Sequence, residues 1–425
     1  MTNVWRETGD ASLQRGVRES VDFMLAELRR EDGAFAGSLD ADSLNGAGHE
    51  LEGVFYLWDE KEILGLLVDD GPLAVAAYNV EPPENALNED YGDAGTLYRS
   101  DQTTAMLADT FKMTVVEVEQ RLIRSLAILN QHRAKRSPPR RDDKIIADWN
   151  GMAVAAIAEA GLAFGRADWV KAATRAFNAS RRALTATDGP LRGRLHQSAM
   201  GGKTGAPATM RGLAEMARAA LILAEATGSK DYLGFAVKWA DAAVAYHWDE
   251  AGGGGFFTAA TDAGPALARL KQVRDEPNAS GNSKMVEVLA LLYYLGGDGA
   301  HQNRADKTLF AIGGASEDPG IEISGLFNAA DTLDAALQIV VIGKRGDAAT
   351  DRLVRRVMAT SLPNRALDVI SPGTLLPEGH PARNKIQLDK KATAYVCRGT
   401  ICSLPVTALG ELTETLLLMR RSGTL

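Results

Sequence analysis

Acidic side chains gather in the long, glycine-rich segments of this chain. Asp40 and Asp42 stand in LDADS, Glu52 in HELEG, Asp142, Asp143 and Lys144 in RDDK, and Asp275 beside Glu276 in RDEP. A pair of carboxyl groups can act as general acid and base on a sugar, and their separation decides whether configuration is inverted or retained. Asp42, Glu52 and Asp143 are the candidate catalytic groups. Asp40, His49, Tyr56, Lys144, Trp149, Asn150, Asp275, Ser280 and Asn282 are candidate substrate contacts, with the aromatic members offering flat apolar faces to a pyranose ring. Each also has a plainer reading. The LDADS carboxylates could cap helix N-termini, Asp143 and Lys144 could form a local ion pair, and Trp149 could pack within its helix. PNASGNS (Pro277 to Ser283) could be a turn and N-cap leading into KMVEVLALLYYL. Epimerisation beside a carbonyl needs a proton shuttle such as histidine. None of the six histidines has a spacing that signals a pair; His49, between Asp42 and Glu52, is the first to test.

The two cysteines, Cys397 and Cys402, are separated by four residues. They could be a redox couple or half a metal site, but no second Cys/His pair completes a zinc set and the spacing is not C-x-x-C. Thiols on neighbouring strands of a hairpin are the simpler account. GGGG (Gly252 to Gly255) lacks the Gly-Lys-Ser/Thr of a phosphate loop. No cofactor and no metal is expected.

Most of the chain that positions these residues has helical periodicity, with apolar residues three and four apart in ASLQRGVRESVDFMLAELRR, GMAVAAIAEAGLAF, MRGLAEMARAALILAEAT and YLGFAVKWADAAVAYHW. Glycine turns recur between them at Gly9, Gly165, Gly228 and Gly297. Longer polar loops recur on the opposite side: REDGAFAGSLDADS, ATDGPLRGRLHQS and DEAGGGGFFTAATD. Short turns alternating with long loops predict a mainly α toroid of helical hairpins over residues 1–336, with a site on the long-loop face. Leu66 to Asp101 reads as an insertion, and Met1 to Asp10 as an inter-helix turn. Residues 337–425 hold three β-branched runs, LQIVVIG, RALDVIS and ATAYVCRGTICSLPVT, and a final helical stretch. They predict a small α/β element.

With 425 residues, 45% hydrophobic and 24% charged, the chain has ample material for a folded core. Its net charge of −8 and the absence of a basic stripe exclude nucleic acid as a partner. The one basic cluster, QHRAKRSPPRR (Gln131 to Arg141), reads as a solvated helix end before a Pro-Pro turn. No run approaches the ~20 apolar residues of a spanning helix. The N-terminus has no signal-peptide pattern, and a cytoplasmic, membrane-free protein is expected.

The ordered series GAFAGSLDADS, EGVFYLW, RDDKIIADWNG, GGGGFFTAATD, RDEPNASGNS and AYVCRGTICSLPV resembles the C-terminal region of the thioredoxin-domain-containing proteins related to spermatogenesis-associated protein 20. The resemblance implies an (α/α)6 barrel of the six-hairpin glycosidase type, here without the thioredoxin-like portion and the first hairpins. Where that family has an acidic DDYA, this chain has MRGLAEMA, with Arg211 and Gly212 at the acidic positions. The family's GNWE is not recognisable around EPPENALNED (Glu81 to Asp90). The implied function is carbohydrate processing, by a sugar epimerase or isomerase or a glycoside hydrolase acting on a small carbohydrate. The alternative is a non-catalytic helical scaffold that binds a ligand or a protein.

A hairpin toroid without its first units should expose an apolar flank. Val17, Val21, Met24, Leu25 and Leu28 are expected on it, covered by a homodimer contact or by a separately encoded N-terminal partner. The α/β element folding back over the gap is the alternative.

Overall fold

The computed structural model describes residues 1–81, 94–264, 268–314 and 321–421. Residues 82–90 of EPPENALNED therefore lie outside the described residues. Contacts divide the chain into two units, residues 1–37 with 143–425, and residues 38–142.

In the first unit, helices Ala147–Ala163, Met210–Thr227, Gly281–Gly296 and Ser324–Ala335 pack each against the next. The first three each turn back on an outer helix: Ala167–Leu184, Lys230–His247 and Gly299–Gly313. This is (α/α) hairpin architecture, and small residues make it close. A Cβ on Gly151 would lie 2.6 Å from the carbonyl carbon of Glu215, and one on Gly281 would lie 2.8 Å from the Arg211 nitrogen. The inner helices touch backbone to backbone at these two points, which only glycine permits. The predicted short turns are present, since Gly9, Gly165, Gly228 and Gly297 all adopt left-handed conformations.

Met1 to Asp10 is not simply a turn. Thr2–Thr8 is a short helix ending at Gly9, and it lays Trp5 against Phe164 with ring centroids 4.3 Å apart. The expected exposed flank is covered as well. Val17 and Val21 are buried in the main core with Phe35, Ile157 and Phe177, and Met24, Leu25 and Leu28 pack against that core.

Residues 337–425 form the expected strands and helices and belong to the same unit as the hairpins. The sheet runs Arg365–Ile370, Leu337–Ile342, Thr393–Arg398, Ile401–Cys402. Its first pair is parallel and the remaining pairs are antiparallel. Leu337–Ile342 is buried along nearly all its length, as the apolar run LQIVVI requires of a central strand. Helices Ala348–Ala359 and Leu409–Arg421 share a second core with this sheet. Strand Arg365–Ile370 packs against the Met210–Thr227 and Gly281–Gly296 helices, so the α/β element is seated on the hairpins.

The second unit carries helices Glu60–Leu67, Gly71–Ala77, Thr104–Phe111 and Val115–Arg133, the last begun by a capping box of Thr114 and Glu117. Two small cores hold it, one around Leu73, Leu107 and Leu122 and the other around Trp58, Ile63 and Leu129. The basic cluster after Val115–Arg133 does more than solvate a helix end. Arg136 lies 4.2 Å over the Trp58 ring, donates to both oxygens of Glu62 at 2.9 and 3.0 Å, and donates to the carbonyls of Phe55 and Leu57. A planar fork with five donors can hold all of these at once.

Candidate functional site

The inner helices bring charge onto one face. Arg211, Glu215, Arg218 and Glu225 follow one another three, four or seven apart on Met210–Thr227, as do Lys284 and Glu287 on Gly281–Gly296. Asp148 and Glu159 lie on one side of Ala147–Ala163, while Gly161, about half a turn from Glu159, meets Val170 of the outer helix. The charged stripe is therefore turned away from the outer layer.

Two clusters form along this stripe. Toward the helix N-termini, Arg211 donates to Asp148 at 2.8 Å, with Gln197 on the other carboxylate oxygen at 2.9 Å. Arg218 and Lys284 reach the two oxygens of Glu287 at 3.0 and 2.7 Å. Toward the C-termini, Arg365 of the sheet bridges Glu159 at 2.6 and 3.0 Å and Glu225 at 3.0 Å, and Arg6 adds a 2.5 Å contact to Glu159. Glu159, Arg218, Glu225, Glu287 and Arg365 line one cavity of about 70 Å3, room for a few water molecules. A roomier cleft of about 600 Å3 lies elsewhere, among Tyr293, Tyr294, Asp306, Asp334 and Gln338, and contains none of these buried charges.

Glu215 differs from its neighbours. It is 2% exposed, and one carboxyl oxygen is buried without a hydrogen-bond partner. Burial pushes its carboxyl above the ordinary range, and the nearby charges of Glu287 and Asp148 push the same way against Lys284 and Arg218. At Glu287 burial also acts upward, but Lys284 and Arg218 outweigh it and pull the carboxyl down to about 2. The result is one carboxyl held toward the neutral form and one held ionised. Paired environments of this kind divide acid from base in carboxyl-based catalysis.

The residues expected from sequence fall into both units. Asp40, Asp42, His49, Glu52 and Tyr56 belong to the second. Asp42 and Glu52 are cross-strand partners in the hairpin of Asp42–Leu44 with Glu50–Glu52. Asp40 accepts from Arg140 at 3.3 Å, the His49 amide donates to Asn45, and the Tyr56 ring lies beneath Arg133. Asp143, Lys144, Trp149, Asn150, Asp275, Ser280 and Asn282 belong to the first. The carboxylate of Asp143 lies 3.8 Å from Arg30, which also donates to its carbonyl. Lys144 is half-buried, and Trp149 is 42% exposed on the first turn of its helix beside Asp148.

Asn150 and Asn282 are buried and act alike. The Asn150 amide oxygen accepts from the Phe35 N–H and the Ser180 hydroxyl, and its nitrogen donates to the carbonyls of Phe35 and Ile146. All four hydrogen-bonding positions of that amide are filled by protein. Asn282 accepts from the Phe256 N–H and donates to the carbonyls of Phe256 and Gln272. Each asparagine thus pins the phenylalanine of the preceding long loop to the start of an inner helix. Ser280 caps the helix through the Ser283 N–H at 3.1 Å. Asp275 accepts from the amides of Ser280 and Gly325, tying together the starts of two inner helices. Sequence reading missed Asp148, Glu215, Arg218, Lys284 and Glu287. The signal available was charge recurring at helical spacing inside otherwise alanine- and leucine-rich inner helices.

Among the described residues no group of three or more His, Cys, Asp and Glu could hold a metal ion. His247 is buried with Nδ1 on the Phe257 carbonyl at 2.9 Å, and burial lowers its pKa to about 4. It is neutral at physiological pH. No helix among the described residues is long and apolar enough to cross a membrane.

No family model matches the chain. The chain is similar to spermatogenesis-associated protein 20. It is 27% identical to the human protein over 442 aligned residues, covering 96% of this chain and 55% of that one. To the mouse protein it is 25% identical, covering 98% and 56%. The chain spans about half the length of these curated relatives, and the part matched is their C-terminal part. An uncharacterized protein of Caenorhabditis elegans is 23% identical over 92% of this chain and 55% of its own length. Among solved structures, the GH76A α-1,6-mannanase from Salegentibacter sp. HEL1_6 shares 13% identity over 76% of this chain and 80% of that chain, with a TM-score of 0.36. A D-mannose isomerase shares 12% over 73% and 71%, with a TM-score of 0.35.

Proposed function

We propose that this chain is a carbohydrate-processing protein whose reactive groups stand on the inner-helix face, with Glu287 as base and Glu215 as the proton-holding acid. The observation that carries the reading is the contrast within this one cluster. Glu287 is held ionised by Lys284 and Arg218, while Glu215 is buried with an unpartnered oxygen. Arg211 and the exposed Trp149 stand at the same end of the inner helices and supply a charged donor and an apolar face for a sugar. The rival candidates are the loop acids, Asp143 in the first unit and, separately, Asp42 and Glu52 in the second. The test is a panel of aldoses, ketoses and short oligosaccharides followed by NMR for epimerised, isomerised or hydrolysed product. Loss of turnover in Glu287→Gln and Glu215→Gln with turnover kept in Asp143→Asn supports the inner-helix assignment. The reverse pattern transfers the chemistry to the loop acids.

One observation favours a second reading, a non-catalytic scaffold. The cavity reached by Glu287 and Arg218 has about 70 Å3, too little for a pyranose, and Arg365 of the sheet lines it. If no sugar is turned over and none raises the melting temperature, the scaffold reading stands, because a ligand that binds only the folded state must stabilise it.

A further inference from the structure

The pair Cys397 and Cys402 is not used by the reading above. Cys397 lies on Thr393–Arg398 and Cys402 on Ile401–Cys402, directly opposite each other, and they are joined by a disulfide. The two sulfur-bearing residues are unlike. Cys397 is 2% exposed, whereas Cys402 is exposed. Lys385 places its Nζ 3.9 Å from the Cys402 Sγ, anchored by the Pro381 carbonyl at 3.2 Å and lying 5.6 Å from the Tyr395 ring centroid. The neighbours of Cys402 on the surface are apolar, with Ile401 70% and Leu404 85% exposed.

We propose that this disulfide is a thiol–disulfide exchange site in which Cys402 is the exchanging sulfur and Cys397 the resolving one. Exchange proceeds by attack of a thiolate on an accessible disulfide sulfur, so access selects Cys402. The thiolate of an external dithiol forms a bond to the Cys402 Sγ, the Sγ–Sγ bond breaks, and Cys397 leaves with the electron pair and takes up a proton. The second thiol of the reductant then loses its proton and attacks its own sulfur in the mixed disulfide, releasing Cys402 as thiolate. Two electrons pass to the protein, and the dithiol becomes a disulfide. The Lys385 ammonium stabilises the Cys402 thiolate, as a neighbouring cation does for reactive cysteines generally. In the reverse direction the same Cys402 thiolate attacks the disulfide of an oxidised partner, and Cys397 resolves it.

The test uses the whole chain in its oxidised, folded form. Incubation with reduced glutathione, acid quenching and peptide mass mapping should find the mixed disulfide on Cys402. Cys397→Ser, which cannot resolve, should accumulate that adduct when exposed to oxidised glutathione. Cys402→Ser should take up none in the folded state. After reduction with dithiothreitol, Lys385→Met should slow iodoacetamide capture of Cys402 severalfold at neutral pH, and Lys385→Arg should restore the rate. An adduct on Cys397, or exchange only after unfolding in denaturant, overturns the proposal. A Cys402 capture rate indifferent to Lys385 overturns the role given to that lysine.

Discussion

The two charge clusters on the inner helices use the same side-chain types and differ in what closes them. The Glu159, Glu225, Arg365 and Arg6 cluster is closed from outside the hairpins by an arginine of the sheet, whose own side chain is 5% exposed. The ion pairs of the Glu215, Glu287, Arg218 and Lys284 cluster are made within and between the inner helices themselves. Its ion-paired members remain between 18% and 27% exposed, and one carboxyl oxygen of Glu215 has no partner. Both clusters hold an unmatched buried atom, on Arg6 and Arg365 in the first and on Glu215 in the second, and both pair a raised carboxyl with a lowered one. What sets the second apart is the partial exposure of its ion-paired members, which leaves that cluster within reach of solvent.

The largest effect that separates them is expected at Arg365. Removing the guanidinium by Arg365→Met leaves Glu159 buried against Arg6 and Glu225 buried with the Leu367 N–H but without its ion-pair partner. Breaking a buried network this way typically costs about 3–5 kcal/mol. Urea unfolding should show that loss, and a loss below about 1 kcal/mol would mean that the cluster does not lock the sheet to the hairpins.

Next comes the asparagine pin. Asn282→Ala leaves the Phe256 N–H and carbonyl buried without their side-chain partner, and such groups cost about 1–3 kcal/mol each when unsatisfied. Asn282→Asp should be worse than a simple isostere suggests, because the oxygen that replaces the amide nitrogen cannot donate to the Phe256 and Gln272 carbonyls. Thermal melts of both variants check this.

These pins show how far sequence could reach. The alternation of glycine turns and long loops gave the hairpins, and the β-branched runs gave the α/β element, because both patterns are local. Asn150 and Asn282 were legible as important polar residues in WNG and GNS, but not as clamps on Phe35 and Phe256, which stand 115 and 26 residues earlier in the chain. Likewise Glu215 and Glu287 come within electrostatic reach of each other only after two helices pack at Gly281, a contact that no periodicity specifies. The exposed flank inferred for Val17 to Leu28 failed for the same reason. Val17 and Val21 belong to the main core, whose members come from far along the chain, Phe177 among them.

The second cluster should give the smaller, pH-dependent effects. The Glu287 carboxyl sits below its ordinary value of 4.5, at about 2. Its contribution to stability is therefore fully present above 4.5 and is lost as pH falls through that window toward about 2. Glu215 is raised, so the folded state resists its ionisation and stability declines as pH climbs past its ordinary value. Glu287→Gln should flatten the acid side of a stability profile and Glu215→Gln the side above it. Both slopes unchanged would remove the acid and base assignment.

The smallest effect belongs to the loop acid. Asp143 is about half exposed, and its carboxylate stands 3.8 Å from Arg30, which is held independently by the Asp143 carbonyl and by Asp32 at 3.2 Å. Asp143→Asn keeps the shape and the carbonyl contact and removes one exposed charge, so unfolding should move by at most about 1 kcal/mol. Against that quiet background its activity readout is clean. If sugar turnover survives in Asp143→Asn and disappears in Glu287→Gln, the inner-helix cluster carries the chemistry. If the order is reversed, the unmatched carboxyl of Glu215 is a packing cost of the hairpins, and the comparison between the two clusters loses its functional meaning.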